Sequence, residues 1–112
     1  MGIRVGKKLW GNAEGSYMYH CPGCGMLHCL HVEKPSPHTG AAWGFNRNGD
    51  APTFTPSVLV QWDKLVGDGP LESRQRVPQV CHSFVTDGRI AYLEDCTHDM
   101  RGMTVEMPDW ED

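Results

Sequence analysis

The placement of cysteine constrains this chain more than any other feature. Cys21-Pro22-Gly23-Cys24 is followed by Gly25, and far along the chain stand Cys81-His82 and Asp95-Cys96-Thr97-His98. A C-x-x-C turn holding Pro and Gly lets backbone amides face two thiolates, which is half of a tetrahedral zinc site. A redox C-x-x-C would instead stand at a helix N-terminus in a βαβ setting, and nothing around Cys21 reads that way. Cys21 and Cys24 are therefore expected to ligate Zn2+. Cys81, on an apolar strand, is the expected third ligand; otherwise it is an inert buried thiol. His28 is the expected fourth, on a strand face shared with Leu30 and Val32, in competition with Cys96 and His98. Cys29 points to the other face and reads as a packing residue. A metal held this way ties the N-terminal half to the C-terminal half.

Such a tie matters because the rest of the composition is thin. The chain has 112 residues, 39% of them hydrophobic, with 13 Gly and 8 Pro, so one domain with a modest core is expected over 1–112. A structural metal adds stability where packing is sparse. The formal net charge of −4, with basic residues scattered, argues against a nucleic-acid surface, which needs a clustered positive field. No apolar run reaches the length of a signal peptide or a membrane span. Five cysteines without an export signal fit reduced thiols, and a cytoplasmic location is expected.

Short β-like runs alternate with Gly, Pro, Asn and Asp clusters, so the fold class expected is mainly β: a small antiparallel sheet with a zinc-ribbon-like CPGC knuckle. Strands are expected at 16–20, 26–32, around Trp43 and Phe45, and at 58–62. Residues 64–76 read as a mobile loop and 108–112 as an acidic, solvated tail. The firmest local feature is a hairpin of 80–85 and 89–93 about Asp87-Gly88, a dipeptide suited to a type I′ turn. Its register sets Thr86 against Arg89, Ser83 against Tyr92, Cys81 against Glu94 and Gln79 against Cys96. His82 then lies on the face opposite the thiols, with Val80 and Phe84.

His82, Asp95 and His98 are left over by the metal. Asp95 and His98 bracket a tight step at a strand end, where a carboxylate can hold an imidazole in the tautomer a general base needs. The competing reading is a capped turn, with Asp95 and Thr97 bonding nearby amides. Pro52-Thr53-Phe54-Thr55-Pro56-Ser57 is pre-ordered by two prolines and suits a loop that presents a hydroxyl. Ser57 reaches the histidines only through the fold.

Together these pieces resemble a family of small bacterial and prophage-encoded proteins. The shared motifs are Cys21-Pro22-Gly23-Cys24 with His28, Trp43-Gly44-Phe45, Pro52 to Ser57, Cys81-His82-Ser83-Phe84, Asp87-Gly88, Asp95 to His98, Gly102 and Val105 to Asp109, all in order. Relatives are often labelled ammonia monooxygenase, which nothing in this chain supports. Others sit in operons for ubiquitin-like conjugation, where a peptidase role has been proposed. The resemblance implies a hydrolase that trims a protein or ubiquitin-like C-terminus. The family carries Cys or Ser before Thr-His, which weighs against Cys96 as a ligand. The segment Asp99-Met100-Arg101-Gly102-Met103 departs from the family pattern.

A zinc-containing, peptidase-like hydrolase is the leading expectation, its partner a protein or peptide substrate. In it His98, oriented by Asp95, is the general base, His82 a second imidazole donor, and Ser57 the nucleophile, or a water if the metal is exposed. A non-enzymatic, zinc-stabilised prophage accessory protein that binds a host protein is the alternative. Convergence of His82, Asp95, His98 and Ser57 in one accessible place discriminates the two.

Overall fold

A computed structural model describes residues 2–12, 15–32, 34–37 and 40–110. Among them the chain is mainly β, in two antiparallel sheets that follow chain order. The first sheet holds β1 (Gly2–Val5), β2 (Leu9–Asn12), β3 (Ser16–Cys21) and β4 (Met26–His31). The second holds β5 (Gly44–Phe45), β6 (Phe54–Val66), β7 (Gln75–Thr86), β8 (Arg89–Tyr92) and β9 (Thr104–Glu106). No helix among the described residues is long and apolar enough to cross a membrane.

Alternation along the strands builds the core. On β4, His28 and Leu30 are buried and Cys29 is exposed. On β7, Cys81, Ser83 and Val85 point inward; Ile90 and Tyr92 do so on β8. Leu9, Tyr19 and Leu30 of the first sheet meet Phe54, Val58, Val85, Ile90 and Tyr92 of the second in one cluster. An aromatic layer joins the sheets, with Tyr17 4.7 Å from Phe45 and Tyr19 stacked on Phe54. Burial of this apolar area is the main favourable term holding sheet to sheet.

The Asp87-Gly88 turn is as expected: φ is 50° at Asp87 and 78° at Gly88, the left-handed pair of a type I′ turn. A Cβ on Gly88 would stand 3.1 Å from Ala51 Cα, because the turn is pinned by Gly88 N–H to the Pro52 carbonyl. β1, β2 and β9 lie outside the strands anticipated from sequence. Their short apolar runs carry little periodic signal.

Two segments differ from expectation. Residues 64–66 and 75–76 extend the β6–β7 ladder, so the segment 64–76 is the far end of a long hairpin arm, closed by a 3-10 turn at Leu71–Ser73. The C-terminal segment is docked through Trp110. Met107 is buried, Trp110 N–H donates to the Lys7 carbonyl, and Lys8 donates to Met107 O and to Asp109. Lys8 is itself nearly buried, and an ammonium removed from water needs such acceptors. Of the expected acidic tail, Glu111 and Asp112 lie outside the described residues.

Candidate active site and metal centre

β6 and β7 part company between Phe54 and Val58, the stretch that holds Ser57. Phe54 pairs with Val85 and Val58 with Ser83, so β6 carries extra residues against β7. Such a bulge bends a strand and re-aims a side chain. Here it directs Ser57 Oγ toward β7, 3.1 Å from His82 Nε2. On the same outer face His82 Nδ1 lies 3.0 Å from Asp95 Oδ2. The carboxylate accepts the Nδ1 proton, which leaves the Nε2 lone pair to accept from the Ser57 hydroxyl.

Asp95 reaches His82 because the β7–β8 ladder breaks after Tyr92. The register runs as expected from Thr86–Arg89 to Ser83–Tyr92. Glu94 and Asp95 then form a turn, and the chain returns displaced. Thr97 N–H donates to the Val80 carbonyl, and Thr97 Oγ1 accepts from Val80 N–H. The expected pairings of Cys81 with Glu94 and Gln79 with Cys96 are therefore absent. Cys96 instead comes beneath His82. Its sulfur lies 3.2 Å from both the amide N and the carbonyl O of His82, while Leu93 N–H donates to that same carbonyl.

The expected pairing of Asp95 with His98 is thus replaced by Asp95 with His82. The turn that sends Asp95 to the outer face sends His98 inward. There its ring packs edge-on against Tyr92 at 4.6 Å, and its Nδ1 accepts from Met100 N–H. It lies over Gly23 so closely that a Cβ there would meet it at 2.4 Å. Gly is required at that point of the knuckle by close approach.

On the inner side of β7, four of the anticipated groups converge. Cys21, Cys24, His28 and Cys81 offer ligand atoms within 4.8 Å of one another. Cys21 Sγ and Cys81 Sγ are 3.8 Å apart. A tetrahedral zinc with metal–sulfur bonds of about 2.3 Å places its sulfurs about 3.8 Å apart. His28 Nε2, like His98 Nε2, is buried without a hydrogen-bond partner among the described residues. The knuckle itself is closed by Gly25 N–H to the Cys21 carbonyl, with Gly25 at φ 69°.

The clustered thiols also shift one another. Cys21 is held at about 3, chiefly because the Cys81 thiol bonds to its sulfur; burial opposes this, and the neighbouring His28 ring and then the Tyr92 hydroxyl add to it. Cys24 is pushed up to about 12, first by burial. Cys81 is pushed up as well, first by its bond to Cys21 and then by burial. Thiols this close cannot all ionise unless a cation joins them.

Cys81, Cys96 and His98 form a second convergent group. Its chemistry suits a metal less. The Cys96 sulfur is engaged with the His82 peptide, and the Met100 N–H on His98 Nδ1 leaves the ring proton on Nε2, without a lone pair there for a metal.

Two supporting contacts were not anticipated from sequence. Tyr92 Oη accepts from Gly23 N–H and lies 3.1 Å from Cys21 Sγ, so it joins β8 to the knuckle. Its inward position, opposite Ser83 and two residue pairs from Ile90, was the available signal. The Trp43 indole donates to the Ser57 carbonyl, a contact between segments that no local pattern announces.

The sequence model of one family, described as bacterial ubiquitination-like system serine protease (BubE), matches residues 4–93. That span includes Ser57, His82 and the Cys21, Cys24, His28 and Cys81 set, and stops just short of Asp95. No curated protein and no solved structure matches the chain.

Proposed function

We propose, because this chain belongs to the bacterial ubiquitination-like system serine protease (BubE) family, that Ser57, His82 and Asp95 are its hydrolytic triad and that it trims the C-terminus of a protein or ubiquitin-like substrate. The observation that carries this reading is the unbroken relay of Ser57 Oγ to His82 Nε2 at 3.1 Å and His82 Nδ1 to Asp95 at 3.0 Å. His82 accepts the Ser57 proton as Oγ attacks the scissile carbonyl, then returns it to the departing amine. The resulting acyl-serine is hydrolysed by water in the reverse sense, with His82 again as base. Asp95 orients the imidazole and stabilises the imidazolium.

The metal proposed is zinc, held by Cys21, Cys24, His28 and Cys81. Four protein ligands close a tetrahedral site, so its contribution is structural and the chemistry belongs to the side chains on the other face of β7. Because Cys81 precedes His82, the same strand serves both centres.

The test is active-site labelling with a fluorophosphonate, with the modified residue mapped by mass spectrometry, beside cleavage assays on ubiquitin-like precursors and metal content by elemental analysis. Labelling at Ser57, lost in Ser57→Ala, is the expected result. A protein that holds one zinc but is never labelled would instead be a zinc-stabilised accessory protein that binds a host protein.

A further inference from the structure

β6 has an open edge that starts at the nucleophile. On one side its residues from Val58 to Val66 pair with β7; on the other, β5 covers it only at Phe54 and Thr55. The direction of the exposed groups follows from the far side of β7. His82 spends its N–H and C=O on Cys96 and Leu93, and Val80 spends both on Thr97. Neither therefore bonds to its β6 partner, Leu59 for His82 and Gln61 for Val80. In an antiparallel ladder, residues of such non-bonded pairs turn their own N–H and C=O outward. Leu59 and Gln61 thus present donor and acceptor to the open side, and Asp63, opposite Pro78, keeps the same parity. Among the described residues no backbone hydrogen bond reaches these groups. The Ser57 carbonyl also faces that side, where Trp43 occupies it.

We infer that this edge takes the extended tail of the protein substrate as an added antiparallel strand and delivers its C-terminal end to Ser57. The inference rests on the hydrolase reading above. A strand antiparallel to β6 runs from the arm tip toward Ser57, so its C-terminal residues are the ones that arrive there. The Trp43 indole takes the Ser57 carbonyl and β5 covers Thr55 and Phe54, so the added strand pairs from Leu59 onward, ends beside Ser57, and leaves room for only a short extension beyond the scissile bond. From Leu59 to Val66 the edge spans about 23 Å at the usual strand rise, room for about seven substrate residues. Main-chain bonds of this kind bind without regard to side chains; from Leu59 to Val66 the edge holds no proline or bulge, and its charged residues are Asp63 and Lys64. The chemical class recognised is an unstructured peptide tail, not a folded surface.

The probes are acetylated oligoalanyl diphenyl phosphonates of one to six residues, which phosphonylate the serine with loss of phenol. The rate constant for inactivation is expected to rise with length. N-methylation at alternate amides of the hexamer should lower it about three- to tenfold per lost bond, with little effect at the intervening amides. Exchange of the Leu59 and Gln61 amides should be fast in the free protein and slowed in the hexamer adduct. Rates indifferent to length and methylation, with Ser57 still labelled by a small fluorophosphonate, would overturn the strand-addition inference and leave the hydrolase standing. No labelling of Ser57 by any probe would overturn both. Amides already protected in the free protein, with concentration-dependent dimers, would assign the edge to a second copy and also overturn it.

Discussion

His82 is asked to do two things at once: to lend Nε2 to a hydroxyl and Nδ1 to a carboxylate. Only one neutral tautomer satisfies both, and Asp95 selects it. Asp95 is more than half exposed (56%), so its worth is orientation more than Coulomb energy in a screened setting. Ser57→Ala and His82→Ala are expected to lower fluorophosphonate labelling or peptide hydrolysis by at least about 10³-fold, with folding unchanged by circular dichroism. Asp95→Asn should cost a similar factor, because the amide can present its NH2 to Nδ1 and favour the wrong tautomer. His98→Ala separates the roles of the histidines. It should leave labelling intact and cost about 1–3 kcal/mol in chemical denaturation, since it strips the packing on Tyr92 and Gly23. Loss of labelling in a folded His98→Ala protein would return the base to His98.

β7 is the element on which the molecule turns. Its inward residues reach the thiol and imidazole ligands, its outward residues carry His82, and a strand's period of two keeps the sets apart. The turn at Glu94–Asp95 supplies what the ladder would not. It lifts Asp95 outward and drops Cys96 under the His82 peptide. Cys96→Ala removes both contacts and should slow labelling about tenfold, the cost of roughly 1–1.5 kcal/mol. Cys96→Ser, whose hydroxyl can replace donor and acceptor, should recover much of it. Both variants should keep one zinc by elemental analysis; a drop in zinc would show that Cys96 is a ligand.

At the scale of the molecule, the proposed zinc joins the β3–β4 knuckle of one sheet to β7 of the other. A strong chelator should therefore lower stability by about 3 kcal/mol or more, roughly 10 °C or more in Tm, and abolish Ser57 labelling together with it. Retention of both after verified metal loss would refute a stabilising role. The C-terminal segment makes a second tie, through Lys8. Asp109 is held below the usual carboxylate range, first by its hydrogen bond from Lys8. A carboxyl depressed in the folded state adds stability above its unfolded pKa, near 4, and loses it as pH falls through the lower folded value. Wild-type Tm should accordingly fall more steeply below about pH 4 than that of Asp109→Asn, which has no such group to protonate.

Local chemistry made much of this protein legible from its residues alone. Period-two alternation, a C-x-x-C knuckle and an Asp-Gly turn each act over a few residues, so the mainly β fold, the Asp87-Gly88 hairpin and the meeting of Cys21, Cys24, His28 and Cys81 could be expected in advance. The partner of Asp95 could not. Asp95 is close in sequence to His98, and nearness along the chain favours that pairing, whereas a turn that displaces the ladder gives it His82 instead. The same holds for Ser57, whose aim depends on a bulge in β6, and for the docked segment around Met107 and Trp110. The open edge of β6 belongs with them, because which backbone groups remain free is decided only when every neighbouring strand has taken its place.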